Sequence, residues 1–109
     1  MKVDFEYIFK DLEGEVVLDR QLDANGHIKE GSEKPLTLRR VATQALISAN
    51  DAGKITGDVK AKRYDLAMRL IKGGVQDITV EEASMLKELI GNNYAPLVVG
   101  QAYKIIEQG

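Results

Sequence analysis

Few side chains in this chain of 109 residues could take part in catalysis. Cysteine is absent, and the only histidine, His27, directly follows a sequence typical of a tight turn, so we expect it at an exposed loop tip. Nucleophilic catalysis needs a base beside the nucleophile, and histidine is the usual base. The serines lie in no recognisable nucleophile motif; they are Ser32, Ser48 and Ser84. The residue types and their spacing therefore predict that the protein is not an enzyme.

A metal site built from carboxylates is not favoured either. The adjacent Glu81 and Glu82 lie in a predicted helix, where neighbouring side chains point about 100° apart and do not converge on one ion. At the start of a helix both carboxylates interact favourably with the macrodipole, which accounts for them without a ligand. We therefore predict no metal site and no cofactor.

Basic residues are concentrated in the middle of the chain. The whole chain has 15 basic and 17 acidic residues and a net charge of −2, yet residues 38–72 hold eight basic residues and three acidic ones. Two interpretations remain open: the cations pair with acidic residues of the neighbouring segments, or they form a face that binds the phosphates of a nucleic acid. The candidate binding face consists of Arg39, Arg40, Lys60, Lys62, Arg63 and Arg69.

The N-terminal segment is predicted to form a strand with one buried face. Across residues 3–9 the odd positions are apolar and the even positions are mostly charged, which is the period of two typical of a half-buried strand. As an edge strand it would offer its unpaired backbone to a partner protein, although the charged positions also suit an ordinary protected edge. The apolar positions of this candidate edge strand are Val3, Phe5, Tyr7 and Phe9.

Short strands and turns are predicted for the rest of the first third of the chain. Residues 11–14 have the composition of a turn, and residues 15–18 form the returning strand of a hairpin. The pair Asn25-Gly26 favours a second hairpin turn, with a short third strand over residues 27–29. We expect a loop over residues 31–35.

Beyond residue 35 the apolar period changes to that of a helix, and four short helices are predicted. Each has a recognisable start signal. These signals are Thr37 and Asp58 as N-caps, Thr79 with Glu82 as a capping box, and Pro96 in a first turn. The expected core stripe of the second helix is Val59, Leu66, Ala67, Leu70 and Ile71.

Glycines mark most of the predicted helix ends. Residues 50–53 are expected to end the first helix, the pair Gly73-Gly74 the second, and Gly91 the third. Gly100 lies inside the fourth helix, where glycine costs about 1 kcal/mol relative to alanine. We therefore expect Gly100 to face a closely packed neighbouring helix or, as the alternative, a second subunit.

These elements predict the α+β class, with an N-terminal β-hairpin or small antiparallel sheet followed by a bundle of about four short helices. One domain is expected over residues 1–109, with a β segment over 1–34 and a helical segment over 35–109. The absence of cysteine fits a reducing compartment, and the longest apolar stretch, residues 94–103, is too short for a bilayer. With no secretory signal at the N-terminus, we predict a cytoplasmic protein with no membrane partner.

Four short segments carry a resemblance to a known group of proteins. They are Pro35-Leu36-Thr37-Leu38, Lys62-Arg63-Tyr64-Asp65-Leu66-Ala67, Leu86-Lys87-Glu88-Leu89-Ile90-Gly91, and the stretch from Tyr94 to Tyr103. In these segments the chain resembles small proteins encoded by tailed phages and prophages, across residues 35–107. The resemblance implies an accessory protein in the cytoplasm of a bacterial host cell, which engages a host or virion protein. It brings no catalytic residues.

We therefore predict a non-enzymatic accessory protein of phage or prophage origin that acts through protein–protein interaction. Its role would be that of an assembly factor for virion proteins or a modulator of a host protein. The alternative is a small nucleic-acid-binding protein that uses the basic residues between 39 and 69 against phosphates. Self-association is left open by the sequence.

Overall fold

The computed structural model describes residues 1–19, 33–48 and 55–108. These residues form an α+β fold, which confirms the predicted class. The strands are β1 (Lys2–Asp4), β2 (Leu18–Asp19), β3 (Lys34–Pro35) and β4 (Val75–Asp77), and the helices are α1 (Leu38–Ile47), α2 (Gly57–Leu70), α3 (Val80–Asn93) and α4 (Pro96–Gln108). The predicted turn at Asn25-Gly26, the third strand over residues 27–29 and the helix end at 50–53 lie outside the described residues.

Two small antiparallel sheets join distant parts of the chain. β1 pairs with β4, and Val3 stands opposite Gln76. β2 pairs with β3, and Leu18 stands opposite Pro35, so the loop expected over residues 31–35 ends in a strand. β4 was not predicted, and it interrupts the segment that was expected to be wholly helical. The hairpin predicted around the turn at residues 11–14 is present. On its two sides the N–H of Val17 donates to the carbonyl of Phe9 at 3.0 Å.

The candidate edge strand over residues 3–9 requires a correction. The alternating burial is present, because Val3, Phe5 and Phe9 are fully buried and Tyr7 is partly buried. However, β1 ends at Asp4, and the backbone beyond it is already hydrogen-bonded within the chain.

The first turn of α1 accounts for much of this bonding. The N–H of Leu38 donates to the carbonyl of Tyr7 at 2.9 Å, and the N–H of Arg39 donates to the carbonyl of Phe5 at 2.8 Å. These are N–H groups that have no partner inside their own helix, so the extended segment satisfies them. The N-terminal segment is therefore part of the core and caps α1, and the carbonyl groups of Phe5 and Tyr7 are not free to pair with a partner strand.

Threonines begin three of the helices. Thr37, Thr56 and Thr79 each accept a hydrogen bond from the N–H three residues further along, which satisfies one donor of the first turn. The capping box of Thr79 and Glu82 is confirmed. The predicted cap at Asp58 was wrong by two residues, because α2 begins earlier and Asp58 lies in its first turn.

The glycine predictions gave three different outcomes. Gly73 and Gly74 end the α2 region with φ of 73° and 74°, as expected. Gly91 does not end a helix, since α3 continues to Asn93. Gly100 does not face a close neighbour in the described residues, because a Cβ built there has no atom within 4 Å. The close approach is instead at Gly91, where such a Cβ would lie 2.6 Å from the hydroxyl of Tyr103.

The core is centred on α1. This helix packs against α2 and α3, while α4 packs against α3 and β1. α1 buries Leu38, Val41, Ala42, Ala45 and Leu46, and the N-terminal segment adds its two phenylalanines. The largest fully buried side chains are Phe5, Phe9, Leu38, Leu70, Leu86, Ile90 and Ile106. Among the described helices, none is long and apolar enough to cross a membrane.

Candidate interaction surface

The structure does not bring the six predicted cations onto one face, and Arg39, Arg40 and Arg69 among them contact groups of this chain. Nε of Arg40 lies 2.9 Å from a carboxylate oxygen of Asp19, and Nη2 of Arg69 lies 2.8 Å from Oε1 of Glu82. Arg39 donates from Nη1 to the carbonyl of Ile71 at 3.3 Å, near the end of α2. These arginines connect α1 and α2 to the β segment and to α3.

The Arg40–Asp19 pair is at the wall of a surface pocket beside Tyr94. Burial raises the pKa of the Tyr94 hydroxyl, an effect that the positive charge of Arg40 partly offsets. The phenol therefore stays protonated at neutral pH. Arg40 is placed here to neutralise Asp19, and this position is consistent with internal charge complementarity.

The remaining three predicted cations are on α2, and they border two different depressions. Lys60 and Arg63 line a small pocket of about 160 Å³ together with Ile47 and Tyr64. Lys62 lines the groove between α2 and α3, whose volume is about 520 Å³. The candidate nucleic-acid face is therefore divided between two sides of one helix.

The outer side of α2 carries a feature that the sequence analysis did not identify. Lys60, Tyr64 and Met68 follow one another at intervals of four residues, and residues four apart on a helix share a face. Lys72 continues the same interval just beyond Ile71, the C-cap of α2. We call these five residues, Lys60, Tyr64, Met68, Ile71 and Lys72, the α2 stripe.

The apolar part of the α2 stripe is open to solvent. Tyr64 is 59% exposed, Met68 52% and Ile71 42%. The prediction that Ile71 belongs to the core stripe was therefore wrong, while Leu66, Ala67 and Leu70 are buried as expected. Single exposed apolar residues are common on protein surfaces, whereas apolar residues that adjoin one another on one helix face are typical of interaction sites.

The α2 stripe carries a positive charge at each end, from Lys60 and Lys72. Lys60 and Lys72 are exposed, and neither has an ion-pair partner among the described residues. Aromatic and methionine side chains are enriched where proteins bind one another, and peripheral charges select the partner and its orientation. This surface can therefore bind an apolar side chain that is accompanied by carboxylates.

The spacing of the α2 stripe is visible in the sequence, but its exposure is not. Tyr64, Met68 and Ile71 are compatible with a helix that is buried on a broad face, and Ile71 was predicted to lie there. Which apolar stripe of α2 is covered depends on where α1 lies, and that is a property of the tertiary structure.

The residues that the structure describes contain no group of three or more side chains that could hold a metal ion. Comparison of the chain with protein-family models, with curated proteins and with solved structures found no match.

Proposed function

We propose that this chain is a non-enzymatic accessory protein of tailed phages or prophages that acts through protein–protein contact in the cytoplasm of the bacterial host. The α2 stripe is its contact surface. Its partner is either a host protein or a virion protein, and for a virion protein this chain would be an assembly factor. The observation that carries the proposal is the adjacent exposure of Tyr64, Met68 and Ile71 on one helix face. The resemblance of residues 35–107 to phage and prophage proteins supports the biological setting.

The alternative function, nucleic-acid binding, has less support from the geometry. A phosphate-binding face needs cations that are free to approach the backbone of the nucleic acid. Arg40 and Arg69 are in ion pairs with carboxylates, and Arg39 contacts a carbonyl group. The apolar stripe has no role in phosphate binding, whereas a protein partner would cover it.

The proposal is tested by capture of partners from bacterial lysate, with and without nuclease treatment, with a tagged form of the full chain. The test variant is Tyr64→Gln with Met68→Gln, which removes the two most exposed apolar side chains of the stripe while keeping helix-forming residues and the net charge. The matched control is Val80→Gln, which removes an exposed apolar side chain from α3 outside the stripe. Retained proteins are identified by mass spectrometry, and circular dichroism checks that each variant is folded.

We expect at least one protein to be retained by the wild type and by Val80→Gln and to be lost from the double variant. Its retention should change little between about 50 and 200 mM salt, because an apolar contact responds weakly to ionic strength. If the double variant retains the same proteins as the wild type, the α2 stripe is not the contact surface. If nuclease abolishes all binding, the nucleic-acid alternative replaces the proposal.

A further inference from the structure

The turn between Lys10 and Val16 presents a fully exposed leucine beside acidic residues, whereas the α2 stripe is flanked by lysines. Leu12 is 96% exposed, and its immediate neighbours are Asp11 and Glu13. Glu15 follows two residues later and is also exposed. We call residues 11–15 the acidic turn.

The acidic turn is held in one shape by its own hydrogen bonds. Oδ1 of Asp11 accepts from the N–H of Glu13 at 2.9 Å and from the N–H of Glu15 at 3.0 Å. The N–H of Gly14 donates to the carbonyl of Asp11 at 3.1 Å, and Gly14 has φ of 87°. Leu12 is thus presented on a preorganised turn, so less conformational entropy is lost when it is bound.

We propose that the acidic turn of one copy of this chain binds the α2 stripe of a second copy. In this contact Leu12 packs against Tyr64 and Met68. The carboxylates of Glu13 and Glu15 then lie between the exposed lysines at the two ends of the stripe. The inference rests on the proposed function in one respect, since both use the α2 stripe as a binding surface.

Charge complementarity is the argument for a second copy as the occupant. The stripe offers apolar side chains between Lys60 and Lys72, which lack ion-pair partners among the described residues. The acidic turn offers Leu12 between Asp11 and Glu13, with Lys10 and Lys104 lining the same depression as Leu12. Glu13 and Glu15 have no ion pair within the same described residues. Opposite charges arranged around apolar centres select both partner and orientation.

The two surfaces belong to different parts of the molecule, which has a consequence for the assembly. The stripe is on α2, which packs against α1, whereas the acidic turn borders the start of α4, which packs against α3. A contact between two different surfaces is heterologous, and its repetition forms a ring or an open chain. We therefore expect association to use each surface once per copy.

The test is sedimentation equilibrium of the full chain over a range of concentrations up to about 1 mM, which suits a small and weak contact. The average mass should rise above the 12.0 kDa of a single chain as concentration increases. Leu12→Gln and Met68→Gln should each weaken the association roughly tenfold or more, because each removes a buried apolar contact. Val80→Gln is the matched control and should behave as the wild type.

Charge reversal identifies the two surfaces as partners. One variant carries Glu13→Lys with Glu15→Lys, and the other carries Lys60→Glu with Lys72→Glu. Each variant alone should remain a single chain, because like charges then face one another in the contact. A mixture of the two should associate, since the cationic turn of the first variant meets the acidic stripe of the second.

Three results would overturn the inference: a wild type that stays a single chain at every concentration, association that Leu12→Gln leaves unchanged, or no association in the mixture. The proposed function is judged separately by the capture experiment. If the wild type is monomeric but the stripe variant still loses a lysate partner, the inference fails and the proposed function stands. If the stripe variant changes neither association nor capture, both fail.

Discussion

Two adjacent glycines follow α2, and the side chain of Glu6 distinguishes them. Both have positive φ, 73° for Gly73 and 74° for Gly74. A Cβ at Gly74 would meet no atom within 4 Å, whereas a Cβ at Gly73 would overlap Oε1 of Glu6. The same oxygen accepts a hydrogen bond from the N–H of Gly74 at 2.9 Å. Gly73 is therefore required both for its backbone conformation and for the position of Glu6.

Alanine substitutions separate these two requirements. We expect Gly74→Ala to lower the free energy of unfolding by about 1–2 kcal/mol, the cost of a left-handed backbone with a side chain. Gly73→Ala should cost about 1 kcal/mol more, because Glu6 must move and its hydrogen bond is lost. Urea denaturation measures both, and adding Glu6→Ala should remove the excess. Equal destabilisation by the two alanines would contradict this account.

The helices α3 and α4 contain one glycine each, and the packing between them gives the two glycines opposite roles. The hydroxyl of Tyr103 donates to the carbonyl of Lys87 at 2.7 Å and would lie 2.6 Å from a Cβ at Gly91. Gly100 has open space at the same position among the described residues. Gly91 thus allows Tyr103 to bind the backbone of α3, while Gly100 contributes nothing of this kind.

The change from glycine to alanine should therefore alter the free energy of unfolding in opposite directions at Gly100 and Gly91. Gly100→Ala should raise the free energy of unfolding by up to about 1 kcal/mol, because alanine is the better helix former. Gly91→Ala should lower it, since the same gain is outweighed when the Tyr103 hydroxyl is displaced from its hydrogen bond. Thermal unfolding compares the two, and Tyr103→Phe should relieve the effect at Gly91. A stabilising Gly91→Ala would argue against the close approach.

The start of α3 makes stability depend on pH through Glu82. Burial acts to raise the pKa of Glu82, but hydrogen bonds from Arg69 and from the N–H of Thr79 outweigh it and hold the pKa below its ordinary value of 4.5. A carboxyl group whose pKa is lower in the folded state than in the unfolded state stabilises the fold at pH values above the unfolded-state pKa. This contribution is lost as the pH falls from about 4.5 through the folded pKa.

Glu82→Gln isolates that contribution, because glutamine can keep the capping hydrogen bond but has no charge for Arg69. We expect the free energy of unfolding of the variant to decrease less than that of the wild type between about pH 5 and pH 3. Urea denaturation at several pH values provides the comparison. If the two proteins lose stability in parallel, the Arg69–Glu82 ion pair contributes nothing.

For the whole molecule, we expect internal pairing of charges to limit the affinity for nucleic acids. If all six predicted cations contacted phosphates, binding to duplex DNA would fall with salt at a log–log slope of about −5. Since Arg39, Arg40 and Arg69 contact groups of this chain, we expect a much smaller slope and no saturable binding at about 150 mM salt. Fluorescence anisotropy with a labelled duplex measures both. A steep slope would show that the arginines leave their internal partners.

Local signals explain which features of the fold were predictable. The cap at Thr37, the capping box of Thr79 and Glu82, and the glycine stop after α2 involve residues within a few positions of one another. The alternating burial across residues 3–9 was predictable for the same reason. The pairing of β1 with β4 was not, because Val3 and Gln76 are far apart in the sequence and neither strand exceeds three residues.

For the candidate site, too, some features were predictable from the sequence and others depended on the tertiary structure. The sequence by itself determined the four helices, most of their starts, and the residues that can carry charge or apolar surface, since these follow from residue types and short spacings. Only the tertiary structure decided that Arg40 and Arg69 are paired and that Tyr64 and Met68 are uncovered. The physical reason is that exposure and pairing depend on which surfaces remain after distant segments have packed, and short-range periodicity carries no information about that packing.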